Sequence, residues 1–117
     1  MTTRTLGFAG IAVALCAVAA HAQTNYPARP TRIVVGFAPG GGTDVMARFF
    51  AQKLSESFGQ SFIVENRPGA GSNIGADYVA KSAADGYTLL MAIQSLTINV
   101  SLYNKLTYDA VKDFAPI

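Results

Sequence analysis

Three consecutive glycines at positions 40–42 mark the stretch of this chain with the clearest potential for chemistry. An apolar, β-branched run (residues 33–35) precedes them, and Thr43 and Asp44 then open a helical pattern. A strand, a glycine turn and a helix in this order direct several backbone N–H groups and a helix N-terminus at one small volume, which favours an anion. We therefore predict that this loop helps to bind a small carboxylate.

The same loop also fits a plain tight turn, in which glycine supplies a positive φ or allows close packing. It is not a phosphate-binding P-loop, because no lysine lies near it, and it lacks the third glycine of the dinucleotide fingerprint, where Val45 stands instead. A polar Thr43–Asp44 pair after three glycines exceeds what a plain turn requires, so a ligand-facing loop is the interpretation that we favour.

Two further loops are small or polar. Residues 66–73 form a second glycine-dense turn. It is weak evidence for a nucleotide-binding motif, and we favour the alternative of a glycine-rich helix start with Ser72 or Asn73 as its N-cap. Gln94, Ser95 and Thr97 follow a buried strand, and they could donate hydrogen bonds to a carboxylate or cap the next helical turn.

The sequence gives little support for a catalytic function. Asp44 has no partner acid, histidine or metal ligand, so capping or an ion pair with Arg48 at the i+4 position is the stronger interpretation of its carboxylate. The single histidine, His21, and the single cysteine, Cys16, both lie in the N-terminal 22 residues. We predict no catalytic residue, no metal site, no disulfide and no cofactor.

Apolar runs predict strands over residues 31–37 and 88–93, with a short strand over 61–65 between them. We also predict helices over 43–58 and 74–82 and a helical turn over 98–103. This β-α-β-α-β order predicts an α/β fold with a largely parallel sheet, whose carboxyl edge would gather the segments 38–44, 66–73 and 94–97. Gly59 should end the first helix. That helix should bury an apolar stripe formed by Val45, Met46, Phe49, Phe50, Leu54 and Phe58.

The N-terminus reads as a secretory signal peptide. Arg4 precedes an apolar run (residues 6–20), and Ala20–His21–Ala22 supplies a cleavage pattern. A membrane anchor is the alternative, but the run is shorter than the roughly 20 residues that a span needs. Cleavage after residue 22 lowers the net charge from +2 to +1, and no cluster of basic residues suggests nucleic acid.

Four linked motifs now point to a family: FAPGGGTD (37–44), VENRPGAG (64–71), DGYTLL (85–90) and YDAVKDFAPI (108–117). Together they resemble the start of the Bug family, the extracytoplasmic solute-binding receptors of tripartite tricarboxylate transporters. The resemblance implies a periplasmic-binding-protein type II-like fold, of which residues 23–117 form the first part of lobe one. Family members have roughly 300 mature residues, so we expect the second lobe to be missing and this chain alone to bind ligand weakly or not at all.

The resemblance further implies a periplasmic receptor that delivers a di- or tricarboxylate, an acidic amino acid or an aromatic acid to the membrane components of a tripartite transporter. The full-length receptor is expected to be a monomer. An exported α/β enzyme with an anion-binding glycine loop, or a non-functional fragment, remain the alternatives. The predicted ligand-binding residues are Phe37, Ala38, Gly40, Gly41, Gly42, Thr43, Asp44, Gln94, Ser95 and Thr97.

Overall fold

A computed structural model describes residues 25–117 of the 117-residue chain. The predicted signal peptide, residues 1–22, lies outside the described residues. Within them, no helix combines the length and the apolar character needed to cross a membrane. A short 3-10 turn, Ala70–Ser72, precedes the second helix. The elements in chain order are β1 (Thr31–Val35), α1 (Gly42–Phe58), β2 (Phe62–Asn66), α2 (Asn73–Ala80), β3 (Thr88–Met91) and α3 (Ser95–Leu102).

The three strands form one parallel sheet in the order β2-β1-β3. The central strand is buried on both faces, because Ile33 and Val35 face one side, Val34 faces the other, and each of the three is at most 4% exposed. Helix α1 packs on β1 and β2, while α2 contacts β1 and β3. The predicted α/β fold with a parallel sheet is confirmed.

Strand ends differ from prediction by one or two residues. β1 ends at Val35 rather than at residue 37, and β3 ends at Met91 rather than at residue 93. Gly36 follows β1 directly. A Cβ added to Gly75 in α2 would lie 3.0 Å from the Gly36 Cα, so the backbone of α2 packs closely against the end of β1. The helical turn predicted for 98–103 is a full helix that begins earlier, at Ser95.

The predicted buried stripe of α1 is wrong. Phe49 and Phe50 are 52% and 43% exposed, whereas Ala47 and Ala51 are almost fully buried. The helix therefore packs on the sheet through its small residues, which allow a close approach, and turns its bulky apolar residues outward. Val45, Met46 and Phe58 are also about half exposed, and of the stripe only Leu54 packs against the core as predicted.

The end of α1 is as predicted. Gly59 adopts a left-handed conformation (φ +67°), and its N–H donates a 3.0 Å hydrogen bond to the carbonyl oxygen of Ser55. A side chain at this φ would be strained, which is why glycine suits this helix end. The core beneath α1 consists of Ile33, Val35, Ala47, Ala51 and Phe62, with Phe37, Leu54, Val64, Leu89 and Met91 packed around it.

Candidate functional site

The parallel register brings the ends of the three strands to one level. Val35, the last residue of β1, pairs with Asn66 of β2 on one side and with Met91 of β3 on the other. The segments 38–44, 66–73 and 94–97 therefore leave the sheet at the same edge, as predicted. Because β1 is central, the glycine loop lies between the other two loops.

Within the glycine loop, only Gly40 needs to be glycine for conformational reasons. Its φ of +88° is in the left-handed region, which other residues rarely adopt. Gly41 has an extended conformation (φ −78°, ψ 168°), and a Cβ added to Gly42 would meet no atom within 4 Å. The fold thus leaves the absence of side chains at positions 41 and 42 unexplained.

The amino end of α1 carries unpaired donors. The first intrahelical hydrogen bond runs from the Val45 N–H to the Gly41 carbonyl oxygen at 3.0 Å. Within residues 25–117, the N–H groups of Gly42 and Thr43 have no hydrogen-bond acceptor, and no side chain caps the helix. Gly40, Gly41 and Gly42 are exposed, so these donors lie at an accessible helix N-terminus.

The Asp44 side chain is buried, unlike the backbone amides at the amino end of α1. It is 2% exposed, and its carboxylate accepts hydrogen bonds of 2.9 Å from the Gly40 N–H, from Arg48 Nε and from Asn66 Nδ2. These three donors, Arg48 first, hold the pKa of the carboxyl well below its usual range. The predicted ion pair with Arg48 is confirmed, whereas Asp44 caps no N–H of the helix and accepts instead from the Gly40 N–H that precedes it.

Phe37 and Ala38 differ in their surroundings. The Phe37 side chain is half-buried against the core, and its carbonyl oxygen accepts a 3.0 Å hydrogen bond from Asn66 Nδ2. Ala38 is exposed beside the glycines. Of this pair, Ala38 lies at the accessible edge, while the Phe37 side chain belongs to the packing beneath it.

The three residues of the third loop have different roles at the start of α3. Thr97 Oγ1 donates a 3.0 Å hydrogen bond to the Gln94 carbonyl oxygen, so it binds the backbone of its own turn and does not cap an N–H of α3, contrary to the capping alternative. Gln94 is exposed and occupies the N-cap position without a side-chain cap. The Ser95 hydroxyl is buried, and the described residues offer it no hydrogen-bond partner. Ser95 is thus the member of this loop whose polar atom still lacks a partner.

The second loop is closed by internal hydrogen bonds. Ser72 is the N-cap of α2, as one of our two alternatives predicted, but its side chain makes no capping bond. Asn73 Oδ1 instead accepts hydrogen bonds from Asn99 Nδ2 (2.7 Å) and from the Tyr108 hydroxyl (2.8 Å). Asn99, Tyr108 and Asn66 were absent from the predicted site residues. A lone Asn99 between Ile98 and Val100 was the one signal that could have indicated a buried polar contact.

Two cavities lie elsewhere on the described surface. One, of about 390 Å³, lies between α1 and β2, and the other, of about 340 Å³, lies beside Tyr103 and Tyr108. Neither is lined by a predicted ligand-binding residue. Among the described residues, no three His, Cys, Asp or Glu side chains form a group that could hold a metal ion.

Comparison with known proteins decides the family. The model of the tripartite tricarboxylate transporter family receptors (TctC) matches residues 46–117. The chain belongs to this receptor family. BugT of Bordetella pertussis is 48% identical over 118 residues, an alignment that covers 98% of this chain and 36% of BugT. The resemblance stated from the four motifs is confirmed.

Solved structures of related proteins agree with the fold. The periplasmic binding protein BugD has a TM-score of 0.76 and 40% identity, over 79% of this chain and 31% of BugD. MatC of Rhodopseudomonas palustris, solved with bound malate, has a TM-score of 0.71 and 38% identity, over 78% of this chain and 31% of MatC. The chain spans about a third of the length of the curated relatives that it matches.

Proposed function

We propose that this chain forms the first part of lobe one of a periplasmic receptor that captures a small carboxylate and performs no catalysis. The observation that carries the proposal is the parallel register, which sets the glycine loop between two other loops at one edge of the sheet. Ligands of open α/β sheets bind at this edge. Residues 1–22 would serve as the cleaved export signal, and residues 23–117 as the lobe segment.

The chemistry of the loop supports an anion as the ligand. The Gly42 and Thr43 N–H groups are unpaired at the positive end of the α1 dipole, where a carboxylate is stabilised. The fold does not require the absence of side chains at Gly41 and Gly42, but this absence would let a ligand approach the Gly42 and Thr43 amides closely. The Ser95 hydroxyl lies at the same edge, buried and without a partner among the described residues, so a ligand would have to reach below the surface to accept from it.

The ligand class is a small carboxylate: a dicarboxylate, a tricarboxylate, an acidic amino acid or an aromatic acid. Malate in MatC, a family member with the same fold over this segment, favours the dicarboxylates. The membrane components of a tripartite transporter would receive the ligand, and the full-length receptor would act as a monomer. Phe37 to Thr43, excluding Pro39, together with Gln94, Ser95 and Thr97 are the proposed contact residues.

Position 42 allows a sharp test, because proline there removes one donor and little else. Gly42 is the first residue of α1, where proline is tolerated, and the extended backbone of Gly41 suits a residue before proline. The matched control is Gly42→Ala, which keeps the N–H and adds a methyl group into open space. The difference in carboxylate affinity between the two variants therefore measures this N–H.

Isothermal titration with malate should be run on the protein and on a chimera in which residues 25–117 replace the matching segment of MatC. We expect the chimera to bind malate, and Gly42→Pro to bind about tenfold to a hundredfold more weakly than Gly42→Ala, the loss expected for a hydrogen bond to a charged group. Equal affinities of the two variants, or a chimera that binds no carboxylate, would contradict the proposal.

A further inference from the structure

We infer that Asp44 and Asn66 are positioning residues, which hold the glycine loop in its ligand-accepting shape without touching the ligand. Their role in binding rests on the proposed function, whereas their positioning of the loop rests on the hydrogen bonds of the two side chains. Asp44 was among the predicted ligand contacts, and Asn66 was not. The geometry assigns them a shared task.

Three parts of the fold meet at the Asp44 carboxylate. Oδ2 accepts from the Gly40 N–H in the loop and from Arg48 Nε one turn further along α1, each at 2.9 Å. Oδ1 accepts from Asn66 Nδ2, at the end of β2, also at 2.9 Å. The carboxylate is 2% exposed, so a ligand in solvent has little access to either oxygen.

Asn66 anchors the other end of the loop. Its Nδ2 also donates a 3.0 Å hydrogen bond to the Phe37 carbonyl oxygen, and its Oδ1 accepts one of 3.2 Å from Arg48 Nη2. Both hydrogens of the amide and its oxygen are therefore used. The loop from Phe37 to Gly40 is tied at its first residue through Asn66 and at its fourth through Asp44.

This network determines which donors remain for a ligand. Asp44 takes the Gly40 N–H, as the acidic residue of a capping box takes an amide near the helix start, and leaves those of Gly42 and Thr43 exposed. Arg48 balances the charge of the carboxylate at 2.9 Å, so the negative charge beside the site is offset. Arg48 is committed to Asp44 and Asn66, which agrees with an anion site made of backbone groups.

The test compares Asp44→Asn with a matched acid elsewhere. Asp109 also accepts hydrogen bonds from backbone amides, those of Val111 (2.9 Å) and Lys112 (3.0 Å), but it lies in the C-terminal segment. Asp109→Asn therefore removes a similar carboxylate without altering the glycine loop. Asn66→Ala, which leaves the bond between Asp44 and Gly40, is the second variant.

Hydrogen exchange of the full chain, resolved at the Gly40 amide and at the β1 amides, gives the decisive readout. We expect Asp44→Asn to speed Gly40 exchange at least tenfold relative to β1, Asn66→Ala to speed it less, and Asp109→Asn to leave it unchanged. In the MatC chimera, malate affinity should fall with Asp44→Asn and stay unchanged with Asp109→Asn.

Unchanged Gly40 exchange in Asp44→Asn would overturn the inference. So would an increase shared equally by β1, since that would mean general destabilisation. A local increase at Gly40 with unchanged malate affinity would overturn the role in binding. If the unaltered chimera bound no carboxylate, the proposed function would fail, while Gly40 exchange would still decide whether Asp44 positions the loop.

Discussion

The side-chain amide of Asn99 donates a 2.8 Å hydrogen bond to the carbonyl oxygen of Gly71, and it thereby ties α3 to the loop after β2. Gly71 lies in the left-handed region (φ +63°), and Asn99 is only 4% exposed. The same Nδ2 also bonds Asn73, which accepts from Tyr108 as well. The buried Asn99 amide therefore fixes α3, the helix that follows the third loop, to the second loop and to the start of α2.

Asn99→Ala should lower the free energy of unfolding by about 1–3 kcal/mol, because it removes a buried amide that donates hydrogen bonds to the Gly71 carbonyl oxygen and to Asn73. Denaturant titration followed by circular dichroism measures this. Thr97→Ala is the control on the same helix: its hydroxyl bond to Gln94 is exposed, so its cost should stay below about 0.5 kcal/mol. Equal costs for the two variants would argue against a buried anchor at Asn99.

Acid should destabilise the protein partly through Asp44. The folded-state pKa of this carboxyl lies well below its ordinary 3.8, with Arg48 as the main cause. Its stabilising effect is complete above about pH 4 and is lost as pH falls further, because only the unfolded chain then binds the proton. Asp44→Asn should flatten the fall in urea midpoint between pH 4 and pH 2.

Glu56→Gln is the control for that experiment. The Glu56 pKa is also lowered, chiefly by its hydrogen bond to Lys53, but both side chains are more than half exposed. Solvent screens such a pair, so this variant should change the acid slope less than Asp44→Asn does. A steeper change in Glu56→Gln would show that the acid sensitivity arises on the surface of α1.

Substitution of Phe62 should cost far more stability than substitution of Phe49. Phe62 is 8% exposed in the core, so Phe62→Ala should cost about 3–5 kcal/mol. Phe49 is 52% exposed, and Phe49→Ser should cost less than about 1 kcal/mol while reducing self-association in analytical ultracentrifugation. A large loss of stability in Phe49→Ser would restore the buried stripe that the sequence pattern predicted for α1.

Gly36→Ala should destabilise the fold severely. An added Cβ would collide with the Ser72 side chain and lie 2.9 Å from the Ser72 Cα, which is backbone and cannot rotate away. For that reason Ser72→Ala should fail to rescue it. Gly42→Ala, into open space at the helix start, should leave the thermal midpoint unchanged or slightly raised. If Ser72→Ala rescued Gly36→Ala, the clash would involve the Ser72 hydroxyl alone, and the predicted backbone clash would be wrong.

The strands, and the burial of β1 on both faces, were predictable because apolar residues cluster locally. Ile33, Val34 and Val35 form an unbroken apolar run, which is typical of a strand covered on both faces. Because the strands pair in parallel, their carboxyl ends meet at one edge of the sheet, and the three loops meet there with them. Local pattern and general topology were thus enough for the fold.

The packing face of α1 was not predictable in the same way. Hydrophobicity ranks Phe49 and Phe50 above Ala47 and Ala51, yet the sheet accepts the smaller side chains, which permit close helix–sheet contact. The surroundings of Asp44 depend on Asn66, which lies 22 positions away, and such a contact leaves no periodic trace in one sequence. Tertiary proximity therefore decided both features.

The strand order gives each flank of the glycine loop a different chemical character. On one side the Gly71 carbonyl oxygen accepts a hydrogen bond from Asn99, and the Asn66 side chain donates one to the Phe37 carbonyl oxygen. On the other side Gln94 lies exposed at a helix start. The main-chain amides of the glycine loop remain polar whatever side chains flank the loop. A substitution at the exposed position 94 would therefore change side-chain size and hydrogen bonding beside the glycine loop while leaving the central main-chain amides in place.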